Sequence, residues 1–183
     1  YNGTKEVTGV IYDIETGELQ KAVEDVPERY SEVIEYDFTN LKTGSLLDAV
    51  GALEFLNSAL SEETTRIIDS VKNASCIYNG NTPGGPGAMS CFKFGRNGTA
   101  GSITFTTSAE IGKIEFTYHP WSVFTYTNIN IGNRKIKHKA TEGYATPIVD
   151  SIAFESTNEV TISTDTEGDA RACILKLKLY VVA

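Results

Sequence analysis

The stretch "GSITFTTSAEIGKIEFTYH", from Gly101 to His119, decides the fold. In its first part Ile103 and Phe105 share one face of an extended chain, while Ser102, Thr104 and Thr106 share the other. In its second part Ile114, Phe116 and Tyr118 lie opposite Lys113, Glu115 and Thr117. Apolar residues at every second position put one side of a β-strand in a core and the other in water, which is the pattern of antiparallel sheets. Two successive strands are expected here.

The same period runs outward to the C-terminus. "SIAFES" carries Ile152 and Phe154, "EVTIST" carries Val160 and Ile162, and "RACILKLKLYVV" carries Cys173, Leu175, Leu177, Leu179 and Val181 on one face. Lys176 and Lys178 then point to water. Gly132-Asn133, between "TNINI" and "RKIKHK", reads as a tight hairpin turn because both residues tolerate positive φ. Toward the N-terminus, "SEVIEYDFTNL" is a strand supplied by Val33, Ile34, Tyr36 and Phe38. "TGSLLDAVGALEFLNSAL" is the one helix, spanning about residues 45–60, with Leu46, Val50, Leu53 and Leu60 as its apolar stripe and Ser45 as N-cap. "SEETTRIIDSV" fits either a further helical turn or the start of a strand. "VTGVIYDIETGELQKAV" reads as a hairpin turning at Asp13 to Gly17, and "VEDVPERYSE" around Pro27 as a linker. The expected organisation is an N-terminal hairpin arm over residues 1–30 and an all-β antiparallel sandwich over residues 31–183.

The chain has 183 residues, 40% of them apolar and 22% charged, enough for one well-cored domain. Sixteen Lys and Arg against 24 Asp and Glu leave a net charge of -8, a surface that repels phosphate backbones and anionic headgroups. Nucleic acid and membrane insertion are therefore not expected, and no apolar run approaches the ~20 residues that span a bilayer. The chain begins at Tyr1 with no signal peptide in view, so it reads as a processed or excised segment.

From Tyr36 onward, the order of "YDF", a helical insertion, "CFKFG", "GSITFTT", "IGKIEFTY" and three closing strands resembles the jelly-roll β-sandwich modules of secreted bacterial surface proteins and glycan-degrading enzymes. Many of those are carbohydrate-binding or galactose-binding-like domains. The resemblance covers about 145 residues and implies an extracellular or cell-surface, non-catalytic recognition or adhesion module with a glycan as partner. The same sandwich also serves as a structural unit in virion and surface-layer proteins. The alternative is thus a surface-assembly subunit whose partners are neighbouring protein subunits. A shorter likeness, over Val7 to Val23, is to the opening hairpin of carboxypeptidase-regulatory-like domains, and it reflects shared D-x-x-T-G turn chemistry.

Candidate sites follow from residue type and place. His119-Pro120 ends a strand, because proline has no N–H to donate and restricts the residue before it. Trp121, Phe124 and Tyr126 then sit on a loop and the strand beyond it. An indole at a sandwich rim suits the apolar face of a sugar ring, with the amides of Asn128, Asn130 and Asn133 to bond its hydroxyls. The competing reading folds Trp121 back as a plug. Asp165, Glu167 and Asp169 alternate around Gly168, and hard oxygen ligands in a turn suit Ca²⁺. The resemblance also implies a structural calcium, while the plainer reading is a solvated turn. No other cofactor is called for.

Cys76 and Cys91 flank a loop-like stretch and are candidates for a disulfide; the alternative is that they and Cys173 are unpaired thiols packed as small apolar groups. Sequons occur at Asn2, Asn73 and Asn97. Catalysis finds little support: there is no G-x-S-x-G elbow, no phosphate-binding glycine loop, and both His119 and His138 read as ordinary structural or surface residues.

Overall fold

The computed structural model describes residues 30–183 apart from 42–43, 84–87, 122–125 and 140–146, together with the backbone of three short strands nearer the N-terminus. Those strands are β1 (Thr4–Val7), β2 (Val10–Asp13) and β3 (Leu19–Lys21), paired antiparallel in the order β1-β2-β3 as a sheet of their own. The expected hairpin is the β2/β3 pair, and β1 adds a third strand to it. The turn residues 14–18 and the linker around Pro27 lie outside the described residues.

The main sheet comprises β4 (Tyr30–Asp37), β5 (Leu46–Leu47), β6 (Ile68–Ser75), β7 (Ile77–Asn81), β8 (Ser90–Phe94), β9 (Ser102–Pro120), β10 (Tyr126–Ile131), β11 (Arg134–Lys139), β12 (Ile148–Ser163) and β13 (Ala172–Val182). Its pairing path runs β11-β10-β12-β9-β13-β8-β7-β5, with β4 added on β13 and β6 on β9. All named pairs are antiparallel. Only Cys76 separates β6 from β7, yet β6 pairs with β9 while β7 lies beyond β13 and β8. Strands that close in sequence and that far apart in pairing meet only if the sheet curls on itself. The result is the expected all-β antiparallel sandwich architecture with one helical insertion, α1 (Ala49–Ser58), packed on β5, β6 and β7.

The deciding stretch is one strand of 19 residues, not two. Ile103 and Phe105 are buried in its first half and Ile114, Phe116 and Tyr118 in its second, as the alternation predicts. The inward parity changes from odd to even between them. Its partner β12 is irregular over the same level, with register shifts between Ala153 and Glu159. Bulges bend a strand and increase its twist, so the paired strands turn a corner together. One edge of β9 then serves β6 with its first half and β13 with its second. The inner face gathers Ile34, Tyr36, Phe38, Phe92, Phe94, Phe105, Phe116, Tyr118, Leu177 and Leu179 into one core, where Phe38, Phe55 and Phe92 meet with ring centroids 5.2–5.6 Å apart.

Several local expectations change. The helix begins at Ala49, because Asp48, not Ser45, caps it by accepting the Gly51 N–H at 2.8 Å, and Leu46–Leu47 pair as a strand with β7 instead. Its buried side chains are Ala52, Phe55 and Leu56, whereas Val50 is 67% and Leu46 62% exposed. The stripe follows the aromatic Phe55, the largest apolar group available to fill the space over Phe38 and Phe92. "SEETTRIIDSV" resolves as a turn leading into β6. Val33 is exposed, since β4 presents only Ile34 and Tyr36 inward. The hairpin of β10 and β11 turns on Gly132-Asn133 as expected, with Gly132 alone carrying a positive φ of 56°.

Candidate functional site

The outward face of β9, β13 and β8 is where the sequence-derived candidates meet. Register places His119 opposite Cys173, Cys173 opposite Lys93, and Lys93 opposite Tyr78, so these side chains share one face of the sheet. An irregularity between Ile174 and Lys176 inserts Leu175 as an extra residue against β9. Alternation places Cys173, Leu175 and Leu177 together. Instead the bulge leaves Cys173 and Leu175 outside the main core, packed with Cys91, Met89 and Trp121 as a second, smaller apolar cluster. The face the pattern assigns to water is here covered.

Trp121 supplies part of that cover. It follows Pro120, where β9 ends, and its half-buried indole lies against the cluster. The Lys93 ammonium stands 4.1 Å from the ring centroid and the Arg171 guanidinium 4.8 Å, while Lys93 also approaches the Tyr78 ring at 5.4 Å. Cations over an aromatic face are attracted by its quadrupole, by ~0.5–2 kcal/mol. Arg171 is itself fixed by Asp169, which accepts from its Nε at 2.7 Å and its Nη2 at 2.9 Å. The indole is thus clamped in place and remains part-exposed.

A network of polar groups closes the neighbouring rim. β10 presents Asn128 and Asn130 beside Lys137 and Lys135 of β11. The turn from Thr164 to Ala170 folds onto them. The Asp165 Oδ1 accepts the Asn128 amide at 2.8 Å and the Glu167 N–H at 3.0 Å; its Oδ2 accepts Asn130 at 3.1 Å and Lys135 at 2.9 Å. Four acceptances fill a carboxylate. Burial would raise the Asp165 carboxyl, but the bonds from Lys135, Asn128 and Asn130 outweigh it and pull the pKa down to about 2. Glu167 meets Lys137 at 2.6 Å and Lys135 at 3.2 Å. Gly168, at φ 88°, lets the turn pass so near β10 that a Cβ there would lie 2.5 Å from the Tyr126 carbonyl oxygen.

These contacts bear on two expectations. The carboxylates of Asp165, Glu167 and Asp169 are each taken by amides, lysines or Arg171. Among the described residues no group of three His, Cys, Asp or Glu side chains could hold a metal ion. Asn128, fully buried, and Asn130 do not reach toward Trp121, because their amides are spent on Asp165 and, for Asn128, on the Glu167 carbonyl at 2.5 Å. Asn133 is exposed in the β10/β11 turn. Of the sugar-site candidates, Trp121 and Tyr126 remain accessible. Tyr126 is 45% exposed, with Lys137 4.8 Å from its ring centroid. Phe124 lies outside the described residues. The missed residues are Lys93, Arg171 and Tyr78, whose sequence neighbours carry no signal of a shared face.

The Cys76–Cys91 bridge is also corrected, since all three cysteines are free thiols. Cys91 lies opposite Gly80, four residues along β7 from Cys76, which is roughly 13 Å of strand against the ~7 Å a disulfide tolerates. Cys76 instead takes φ 54° at the β6/β7 corner, with its thiol 3.7 Å from the Tyr78 hydroxyl. Cys91 neighbours Cys173; hydrogen bonding to that thiol and burial both push its own titration up, which makes it unreactive. His119 is buried on β9, and His138 stands on β11 opposite Thr127. Asn73 and Asn97 are exposed, whereas Asn2 lies outside the described residues.

No protein-family model matches the chain, and no curated protein matches it. Solved structures do resemble it. The CBM36-1 domain of a multidomain xylanase from the hindgut metagenome of Trinervitermes trinervoides is 11% identical over 83% of this chain and 99% of that one, with a TM-score of 0.38. The CBM35 from Cellvibrio japonicus Abf62 is 14% identical over 83% and 95%, with a TM-score of 0.34. A family two carbohydrate esterase from Cellvibrio japonicus is 12% identical over 62% of this chain, with a TM-score of 0.35, and the match spans about a third, 34%, of the esterase.

Proposed function

We propose that the chain is a non-catalytic recognition module for carbohydrate, displayed outside the cell, in which Trp121 stacks on the apolar face of a sugar ring. The observation that carries this reading is the clamped indole. Trp121 rests on Cys91, Cys173 and Leu175 and is flanked by Lys93 and Arg171, so it is ordered before a ligand arrives. Pre-ordering removes a cost that a mobile ring would meet on binding. Tyr126 stands on the same rim, linked through its carbonyl, which accepts the Asp169 N–H at 2.9 Å, and Asp169 in turn holds Arg171. Catalysis is disfavoured because the carboxylates of this rim are engaged by cations and amides, which leaves none poised as an acid or base. No described helix is long and apolar enough to cross a membrane.

Titration calorimetry across a panel of plant and bacterial oligosaccharides tests the reading. At least one sugar should bind, Trp121→Ala should weaken it at least about tenfold, and Trp121→Phe should retain part of the affinity. A panel that is silent throughout, or full binding by the alanine variant at an unchanged melting point, removes the platform.

A further inference from the structure

The charge around the indole carries one step more. Lys72, Lys135, Lys137, Lys176 and Lys178 each meet a carboxylate within ion-pair distance. Lys113, which lies over the Tyr180 ring, has Glu115 near enough to lower that acid's pKa. Lys93 differs. In a chain of net charge -8, its ammonium meets no carboxylate among the described residues and sits between two aromatic rings. Arg171, also over the Trp121 ring, has two of its nitrogens turned to Asp169, which offsets its charge locally. Among the described residues, the positive charge at the platform that no carboxylate offsets is therefore that of Lys93. Its ammonium, 4.1 Å from the Trp121 ring centroid, stands at the platform itself, near any charged substituent of a sugar bound there.

We propose that the saccharide taken at Trp121 is anionic, with its carboxylate or sulfate group bound by the Lys93 ammonium. This rests on the stacking reading above and adds the chemical class of the ligand. A neutral sugar would leave Lys93 its contacts with the two rings and nothing more. An acidic one supplies the counter-charge that no described residue provides, in a charge-assisted bond. The protein's overall negative charge opposes the approach of such a ligand, so the attraction is confined to this rim and screened by salt.

Matched pairs of oligosaccharides decide it: galacturonan against galactan, glucuronoxylan against xylan, and a sulfated against an unsulfated galactan. The acidic member should bind at least about tenfold more tightly, and its affinity should fall several-fold between about 50 and about 500 mM NaCl. Lys93→Met, which keeps the aliphatic reach, should abolish the preference. Lys178→Met, on the same face but away from the indole, should leave it intact. Lys93→Gln serves if the methionine variant does not fold. The carboxylated and sulfated arms separate the two anion sources. Equal binding of neutral and acidic members, insensitive to salt, overturns the anionic ligand while leaving the platform standing. Silence of both members in every pair removes the platform as well.

Discussion

Two halves of one sheet face behave in opposite ways. Up to the Leu175 bulge, the outward side of β13 and its neighbours is apolar and covered: Cys91, Cys173 and Leu175 are almost fully buried beneath Met89 and Trp121. Beyond it, the same side is an open ladder of charge. There Lys176 meets Glu35 and Asp37 at 2.9 Å, Lys178 meets Glu115 at 2.9 Å, and Tyr180 donates to Glu115 at 3.2 Å. Alternation fixes which face a residue occupies, but whether that face is wet depends on what chain passes over it. The proposed binding platform stands at the end where cover and solvent meet.

The sharpest way to break this contrast is to remove Leu175. If its cluster is a true second core, Leu175→Ala should cost about 2–4 kcal/mol in urea denaturation, close to Leu177→Ala in the main core. Both residues are almost fully buried, at 2% and 1% exposure. A cost under about 0.5 kcal/mol for Leu175→Ala, beside a full cost for Leu177→Ala, would mean that the outer face is solvated and that Trp121 has no seat.

A graded case lies between apolar cover and open ion pairs. Asp165 is half-buried and saturated by hydrogen bonds, and its folded pKa of about 2 is below the ~3.9 of an unfolded aspartate. A depressed carboxylate contributes stability that is complete above its unfolded pKa and is lost as pH falls through its folded one. Asp165→Asn should therefore be less stable than the parent by on the order of 1 kcal/mol at pH 6, after allowance for solvent screening. The gap should narrow from about pH 4 downward and close near pH 2. A constant gap across that range would show that the turn is held by shape rather than by the charge of Asp165.

The sequence made these regions unequally legible. Period-two alternation located Ile103, Phe105, Ile114, Phe116 and Tyr118 correctly, because a one-residue error would flip every side chain of the strand. It missed the corner, where β9 changes parity and the register of β12 shifts beside it, since a bulge is set by the partner strand and leaves no local mark. It also missed the second core, for the same reason: the Leu175 bulge moves Cys173 and Leu175 away from Leu177. The helix is legible in the sequence but its buried face is not, because the leucine spacing points to a different stripe from the Ala52, Phe55 and Leu56 that packing selects. At the rim, Trp121 and Tyr126 were identified by type and position. Asn128, Asn130, Asp165 and Glu167 read as binding groups in the sequence and bond to one another in the structure, and only a fold places residues 37 and 35 apart in sequence at 2.8 and 3.1 Å.

The smallest effect is expected on the open half. Lys178 is a third exposed, and its bond to Glu115 holds that carboxyl below the usual glutamate range. Water and salt already solvate both groups, and ordering two long side chains offsets most of the attraction. Lys178→Met should change stability by less than about 0.5 kcal/mol, and the difference should shrink further in molar salt, where the screening length falls to ~3 Å. The methionine keeps the stem that lies along the sheet, so the comparison isolates the charge. A loss of 2 kcal/mol or more that persists in high salt would mean that Glu115 and Lys178 are shielded from water by another part of the chain. The two halves of the face would then be covered alike, and the contrast drawn at Leu175 would disappear.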